Sequence, residues 1–196
     1  MSDQSRAPRG AGPVRSSADE PATVGDQLVP DVESWQRAAD SGVARSAASA
    51  ADAPPPSRVT SAVIEPAITA EVVDWLRSAL PDEGCGLLVS DRVAAEGGVP
   101  SRFVGMRNAA ASPFRYLMDP QEQLRVMIEI DDADEVVWGI VHSHVASPAR
   151  PSATDVGLAA YSEALYVLCS FASEPPDVRA WTIVDGLVDE VELAGA

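Results

Sequence analysis

From Val59 onward the apolar positions recur in blocks that switch between the period of a strand and the period of a helix. Thr69 is placed to cap a helix whose apolar residues Val72, Val73, Leu76 and Leu80 fall on one side, with Pro81 ending it. Gly86 to Val89 begins a strand, a hairpin-like turn around Gly97 and Gly98 leads to a second near Arg102 to Met106, and Phe114 to Met118 is expected as a third. Asp119, Pro120 and Glu122 then supply an N-cap, an N1 proline and a capping-box acid for a helix with Leu124, Met127 and Ile128 facing inward. The run EVVWGIVHSH from Glu135 is almost continuously apolar, the pattern of a strand in the middle of a sheet covered on both faces. Beyond a proline-containing loop, Ser152 to Thr154 opens a helix through Tyr161. Strands follow at Leu165 to Phe171, Val178 to Val184 and Leu187 to Leu193, the last two joined by Asp185-Gly186. Helices and strands interleave, which predicts an α/β fold with a mixed β-sheet and helices packed on it.

Residues 1 to 58 are different. They are rich in Ala, Ser, Pro, Gly and Asp, with Trp35 as their one aromatic, and cannot bury enough apolar surface to offset the entropy of ordering. A disordered tail is expected there, with a transient helix over 29–40 and an extended linker at 53–57, followed by a folded domain over 59–196. The whole chain carries a formal charge of −16. Eight acids and six arginines in the tail leave it near neutral, so the acidity belongs to the domain. Such a surface disfavours nucleic acid, whose phosphates are bound by basic patches. All 14 basic residues are arginine, so no lysine amine is offered for modification. No stretch reaches the length of uncharged apolar sequence that crosses a bilayer, and no apolar signal core opens the chain, so a cytoplasmic protein is expected. Cys85 and Cys169 are too few for a disulfide framework; both lie in apolar strand-like runs where a buried thiol is the usual outcome, although Cys85 stands close enough to Glu83 to line a site.

The chemistry concentrates in HSHVASPARPSATD, residues 142–155, which contains the only two histidines of the chain. A strand turns side chains i and i+2 to one face, so His142 and His144 can converge on one point, and Asp155 can arrive from the following segment as a third ligand. Three N/O ligands with a fourth position open describe a catalytic zinc site. Each residue also has a plainer role: a strand histidine can be a hydrogen-bonded core or rim residue, Asp155 or Ser152 can cap a helix, and Trp138 reads as core in preference to a substrate platform.

The string H-x-H, seven residues, S-x-x-D is the motif of the JAMM (MPN+) metalloproteases, matched by His142, His144, Ser152 and Asp155. LPDEGCGLLVS, about sixty residues upstream, is similar to the segment that carries the family's glutamate and puts it at Glu83. FRYLMDPQEQL and VRAWTIVDGLVDEVEL extend the resemblance over residues 59 to 193, with Val145 standing where relatives often have proline. The resemblance implies a cytidine-deaminase-like sandwich, Zn2+ held by His142, His144 and Asp155, Glu83 as general base, and Ser152 as donor to the oxyanion. It further implies, for the actinobacterial stand-alone type, hydrolysis after the C-terminal Gly-Gly of a ubiquitin-like sulfur-carrier protein to release cysteine, a step in cysteine biosynthesis. Other ubiquitin-like conjugates, cell-wall peptides and a non-catalytic MPN interaction module remain alternatives. A zinc deaminase is disfavoured, since neither its H-x-E element nor a P-C-x-x-C segment occurs.

Overall fold

The computed structural model describes residues 59–195. The tail, transient helix and linker expected over residues 1–58 lie outside the described residues. In chain order the elements are β1 (Ser61–Val63), α1 (Pro66–Ser78), β2 (Cys85–Ser90), β3 (Arg102–Met106), α2 (Pro120–Asp132), β4 (Val136–His144), α3 (Ala153–Leu158), β5 (Leu165–Ser170), β6 (Asp177–Val184) and β7 (Leu187–Ala194). The seven strands form one sheet in the order β1-β7-β6-β5-β4-β2-β3. The β1/β7 and β4/β5 pairs are parallel and the others antiparallel, so the sheet is mixed, as the interleaved pattern requires.

Alternation along the central strands divides the core between two faces. Leu87, Ile140, Tyr166 and Leu168 pack with Val126 and Ile130 of α2 on one side. Leu88, Val141, Val167 and Cys169 pack with Val72 and Leu76 of α1 on the other. Strand β4, the most apolar run, sits between β2 and β5 and is fully buried from Trp138 to His144. Trp138 is core, as expected, with its indole N–H donating to the Gly98 carbonyl at 2.7 Å. The Asp185-Gly186 turn joins β6 to β7 with both residues at positive φ, 51° and 77°, the backbone of a two-residue hairpin loop.

Several sequence expectations need correction. Helix α1 begins at Pro66 with Glu65 as N-cap, not at Thr69: proline fixes the φ of the first helical turn, and the Thr69 N–H already donates to the Glu65 carbonyl. The helix stops at Ser78, leaving Leu80 outside it and 38% exposed. Residues 114–118 form no strand; an isolated bridge joins Asn108 to Met118, and the Asn108 amide replaces a ladder by accepting from the Leu117 N–H and donating to the Arg115 carbonyl. Asp119 does cap α2, accepting from the N–H groups of Gln121 and Glu122. The Glu122 carboxylate, however, accepts from the Arg107 N–H, because the Asp119 N–H is already spent on the Arg107 carbonyl. On α2 the buried stripe is Val126 and Ile130, while Leu124 and Ile128 are more than half exposed. Two apolar stripes overlap on this helix; of the expected residues Met127 does pack, partly buried, against the core, and periodicity alone does not decide the rest. The third helix is shorter than expected, ending at Leu158.

Candidate metal centre

The end of β4 is placed by pairing with β2. Cys85 lies opposite His142, and the register continues past the strand through Ser143 N–H donating to the Gly84 carbonyl at 3.0 Å. The Gly84 N–H in turn donates to Ser143 Oγ at 2.8 Å. Directly opposed residues share a face, so Glu83 stands beside His144. The Trp75 indole N–H, donating to the Cys85 carbonyl at 3.0 Å, ties α1 to the start of β2.

Five residues singled out in the sequence lie together here: Glu83, His142, His144, Ser152 and Asp155. The Nε2 atoms of His142 and His144 are 3.3 Å apart. Asp155 offers Oδ1 at 3.5 Å from His142 Nε2 and Oδ2 at 3.5 Å from His144 Nε2. A tetrahedral centre with bonds of about 2.0–2.1 Å keeps neighbouring donors about 3.3–3.4 Å apart; the two imidazole nitrogens have that spacing, and with one Asp155 oxygen all three donor atoms lie within 4.8 Å of one another, an N, N, O set suited to a zinc-like ion. His144 Nδ1–H donates to the Pro148 carbonyl at 2.7 Å, which leaves the Nε2 lone pair facing the other donors. Asp155 is carried by the first turn of α3, and a reciprocal cap fixes it: its Oδ2 accepts from the Ser152 N–H at 2.7 Å while Ser152 Oγ accepts from the Asp155 N–H at 3.2 Å. The Ser152 side chain is therefore a cap whose hydroxyl also lies beside the Asp155 carboxylate.

The loop between the histidines and Asp155 is tied down by three consecutive carbonyls. Ser147 accepts from Ser170 Oγ at 2.6 Å, Pro148 from His144, and Ala149 from the Trp181 indole at 3.0 Å. Val145 in place of proline therefore removes no anchor from this loop.

Burial sets the charges. Burial alone would raise the Asp155 carboxyl, but the His142 and His144 imidazoles and the Ser152 hydroxyl beside it outweigh that and hold the group well below the usual carboxylate range. His142, fully buried, is pushed toward its neutral form by desolvation. Burial opposes the charge on His144 too, yet the Asp155 carboxylate and the Pro148 carbonyl leave it raised. Glu83 is 4% exposed, and burial, reinforced by Asp155 and partly offset by His144, lifts its carboxyl to about 7. The folded protein thus holds a proton on Glu83 between pH about 4.5 and 7 that the unfolded chain releases. Stability must fall as pH rises through that window and stay lower above it. We expect Glu83→Gln to stabilise the chelator-treated protein by about 2–3 kcal/mol at pH 8 and by much less at pH 5. Urea unfolding at the two pH values checks this; equal midpoints for variant and wild type at pH 8 would refute it.

Cys85 and Cys169 are both buried, and desolvation raises each thiol to about 12, so neither supplies a thiolate. Sequence reasoning assigned no part in the site to Tyr116, whose ring stacks on His142, to Asn108, or to the Pro148 carbonyl. Tyr116 lies in a loop remote in sequence from the histidines, within the FRYLMDPQEQL segment that extends the family resemblance, and a carbonyl leaves no residue signature.

A mixed sheet between helices, with two strand-end histidines and a helix-borne aspartate facing a buried glutamate, defines the class: a peptidase of the JAMM type. Comparison with known proteins narrows this. The family described as prokaryotic homologs of the JAB domain matches residues 65–184, and the chain belongs to it. It is 46% identical over 116 residues to the CysO-cysteine peptidase of Mycobacterium tuberculosis, covering 56% of this chain and 74% of that protein. It is 33% identical over 91 residues to the desampylase of Haloferax volcanii, covering 46% and 63%. The solution structure of a protein from Desulfitobacterium hafniense superposes with a TM-score of 0.60 at 34% identity, covering 67% of this chain and 90% of that one. Among the described residues no helix is long and apolar enough to cross a membrane.

Proposed function

We propose that residues 59–196 form a zinc-dependent hydrolase of the amide bond that follows the C-terminal Gly-Gly of a ubiquitin-like sulfur-carrier protein, releasing cysteine in the cytoplasm. The observation that carries the catalytic part is the convergence of His142, His144 and Asp155 within 3.5 Å of one another beside the protonatable Glu83. The substrate rests on the similarity to the CysO-cysteine peptidase.

His142, His144 and Asp155 hold the metal in this reading. Zinc, when bound, supplies Lewis acidity that polarises the scissile carbonyl and lowers the pKa of water at the site. Glu83 takes a proton from the attacking water and returns it to the leaving amine, a task suited to a carboxyl lifted toward neutrality by burial. Ser152 turns its hydroxyl proton to the oxygen that gains charge as the carbonyl turns tetrahedral, a contact worth about 3 kcal/mol in comparable sites.

The test is to incubate purified protein with a carrier bearing a C-terminal cysteine adduct, with and without chelator, and to weigh the intact carrier. Loss of one cysteine residue only in the metal-replete sample is expected; an unchanged mass with metal present would remove this substrate. The similarity to desampylases supports a second substrate class, an isopeptide-linked ubiquitin-like conjugate, which the same assay distinguishes by its larger mass loss.

A further inference from the structure

The two imidazoles aim at the same point but are held in different ways. His144 is anchored through its Nδ1–H on the Pro148 carbonyl. His142 has no counterpart: its Nδ1 is buried with no hydrogen-bonding group in reach among the described residues. The torsion that turns an imidazole about its Cβ–Cγ bond is broad, so a ring without a polar anchor keeps its orientation only through what packs on its faces. Tyr116 packs there, with ring centroids 4.5 Å apart and planes 23° from parallel.

We propose that Tyr116 is the positioning residue for His142, its phenol ring fixing by stacking the orientation that His144 receives from a hydrogen bond. This rests on reading His142 as a metal ligand. Outer contacts of this kind keep the donor atom aimed and commonly govern metal affinity.

Tyr116 is itself held firmly. The Asn108 side chain accepts from the Ala110 and Leu117 N–H groups and donates to the Arg115 carbonyl, so the backbone on both sides of Tyr116 hangs on one amide. The same amide donates to the Glu83 carbonyl at 2.9 Å, and the Ser112 carbonyl accepts from the Glu83 N–H. One loop thus serves both the proposed base and the ring that braces His142. Burial keeps the Tyr116 hydroxyl neutral, so the ring adds no charge to the ligand set. The ring and not the hydroxyl does the positioning, which separates Tyr116→Phe from Tyr116→Leu.

The chain has two histidines, so the metal-stripped protein labelled with 15N at histidine gives two imidazole spin systems. In wild type and Tyr116→Phe both should be single and sharp. In Tyr116→Leu the His142 signals should broaden or split while those of His144 stay unchanged. Zn2+ affinity, measured by chelator competition, should fall about 10–100-fold in Tyr116→Leu and stay within about two-fold of wild type in Tyr116→Phe. Undisturbed His142 signals with wild-type affinity in Tyr116→Leu would overturn the proposal, and so would equal disturbance of both imidazoles, which marks general loosening. If Tyr116→Leu does not fold, Tyr116→Met, longer and unbranched, is judged by the same two readouts. Because the ring signals are read without metal or substrate, a wrong substrate assignment would leave them intact and show only in the carrier assay.

Discussion

His142→Ala or Asp155→Ala should leave the purified protein with almost no bound metal and no measurable hydrolysis, where wild type carries close to one equivalent. In the proposed set His142, His144 and Asp155 each offer one donor atom, all within 4.8 Å of one another, and removing any one leaves two. The two variants should differ in stability. His142 is fully buried against Tyr116, so alanine there opens a cavity and costs about 2–4 kcal/mol beyond the lost metal. Asp155 is the reciprocal partner of Ser152 at the start of α3, so its loss costs about 1 kcal/mol of capping. Elemental analysis beside the carrier assay reads the outcome. Either variant retaining a full equivalent of metal at wild-type rate would remove that side chain from the ligand set.

The second large effect should come from Glu83→Gln: metal content unchanged, turnover lowered by about 10²–10⁴-fold. The substitution keeps the shape of a 4% exposed side chain and removes only its capacity to accept and return a proton. The buried carboxyl already stands at about 7, so the change that should stabilise the chelated protein above neutral pH should also slow the reaction. Stability gained with activity lost, at one position, is the signature of a charge retained for chemistry. A Glu83→Gln enzyme with normal kcat and normal metal would assign the proton transfer to another group.

Much of the site could be read from the chain because its contacts are local. His142 and His144 share one strand face, and Ser152 and Asp155 share one helical turn, so spacing alone brings each pair together. The placement of Glu83 was accessible only through family resemblance. It depends on the register of β2 against β4, including the irregularity between Leu88 and Val89, and pairing register has no simple signature in sequence. The mixed sheet followed from the interleaved periods, while the expected strand at 114–118 failed because a single asparagine side chain satisfies that backbone. Leu124 and Ile128 were misplaced for a related reason. Their spacing is as helical as that of Val126 and Ile130, and only the sheet decides which stripe it covers.

The three carbonyls of Ser147, Pro148 and Ala149, two of them engaged by side chains of β5 and β6 and one by His144, bear on how the enzyme is supplied with its ion. The segment that bridges the imidazoles and the aspartate is held by protein–protein hydrogen bonds that do not run through a cation. Removal of the ion is then expected to change occupancy more than fold. Such a site is expected to gain and lose its ion with the surrounding free concentration while the fold around it persists.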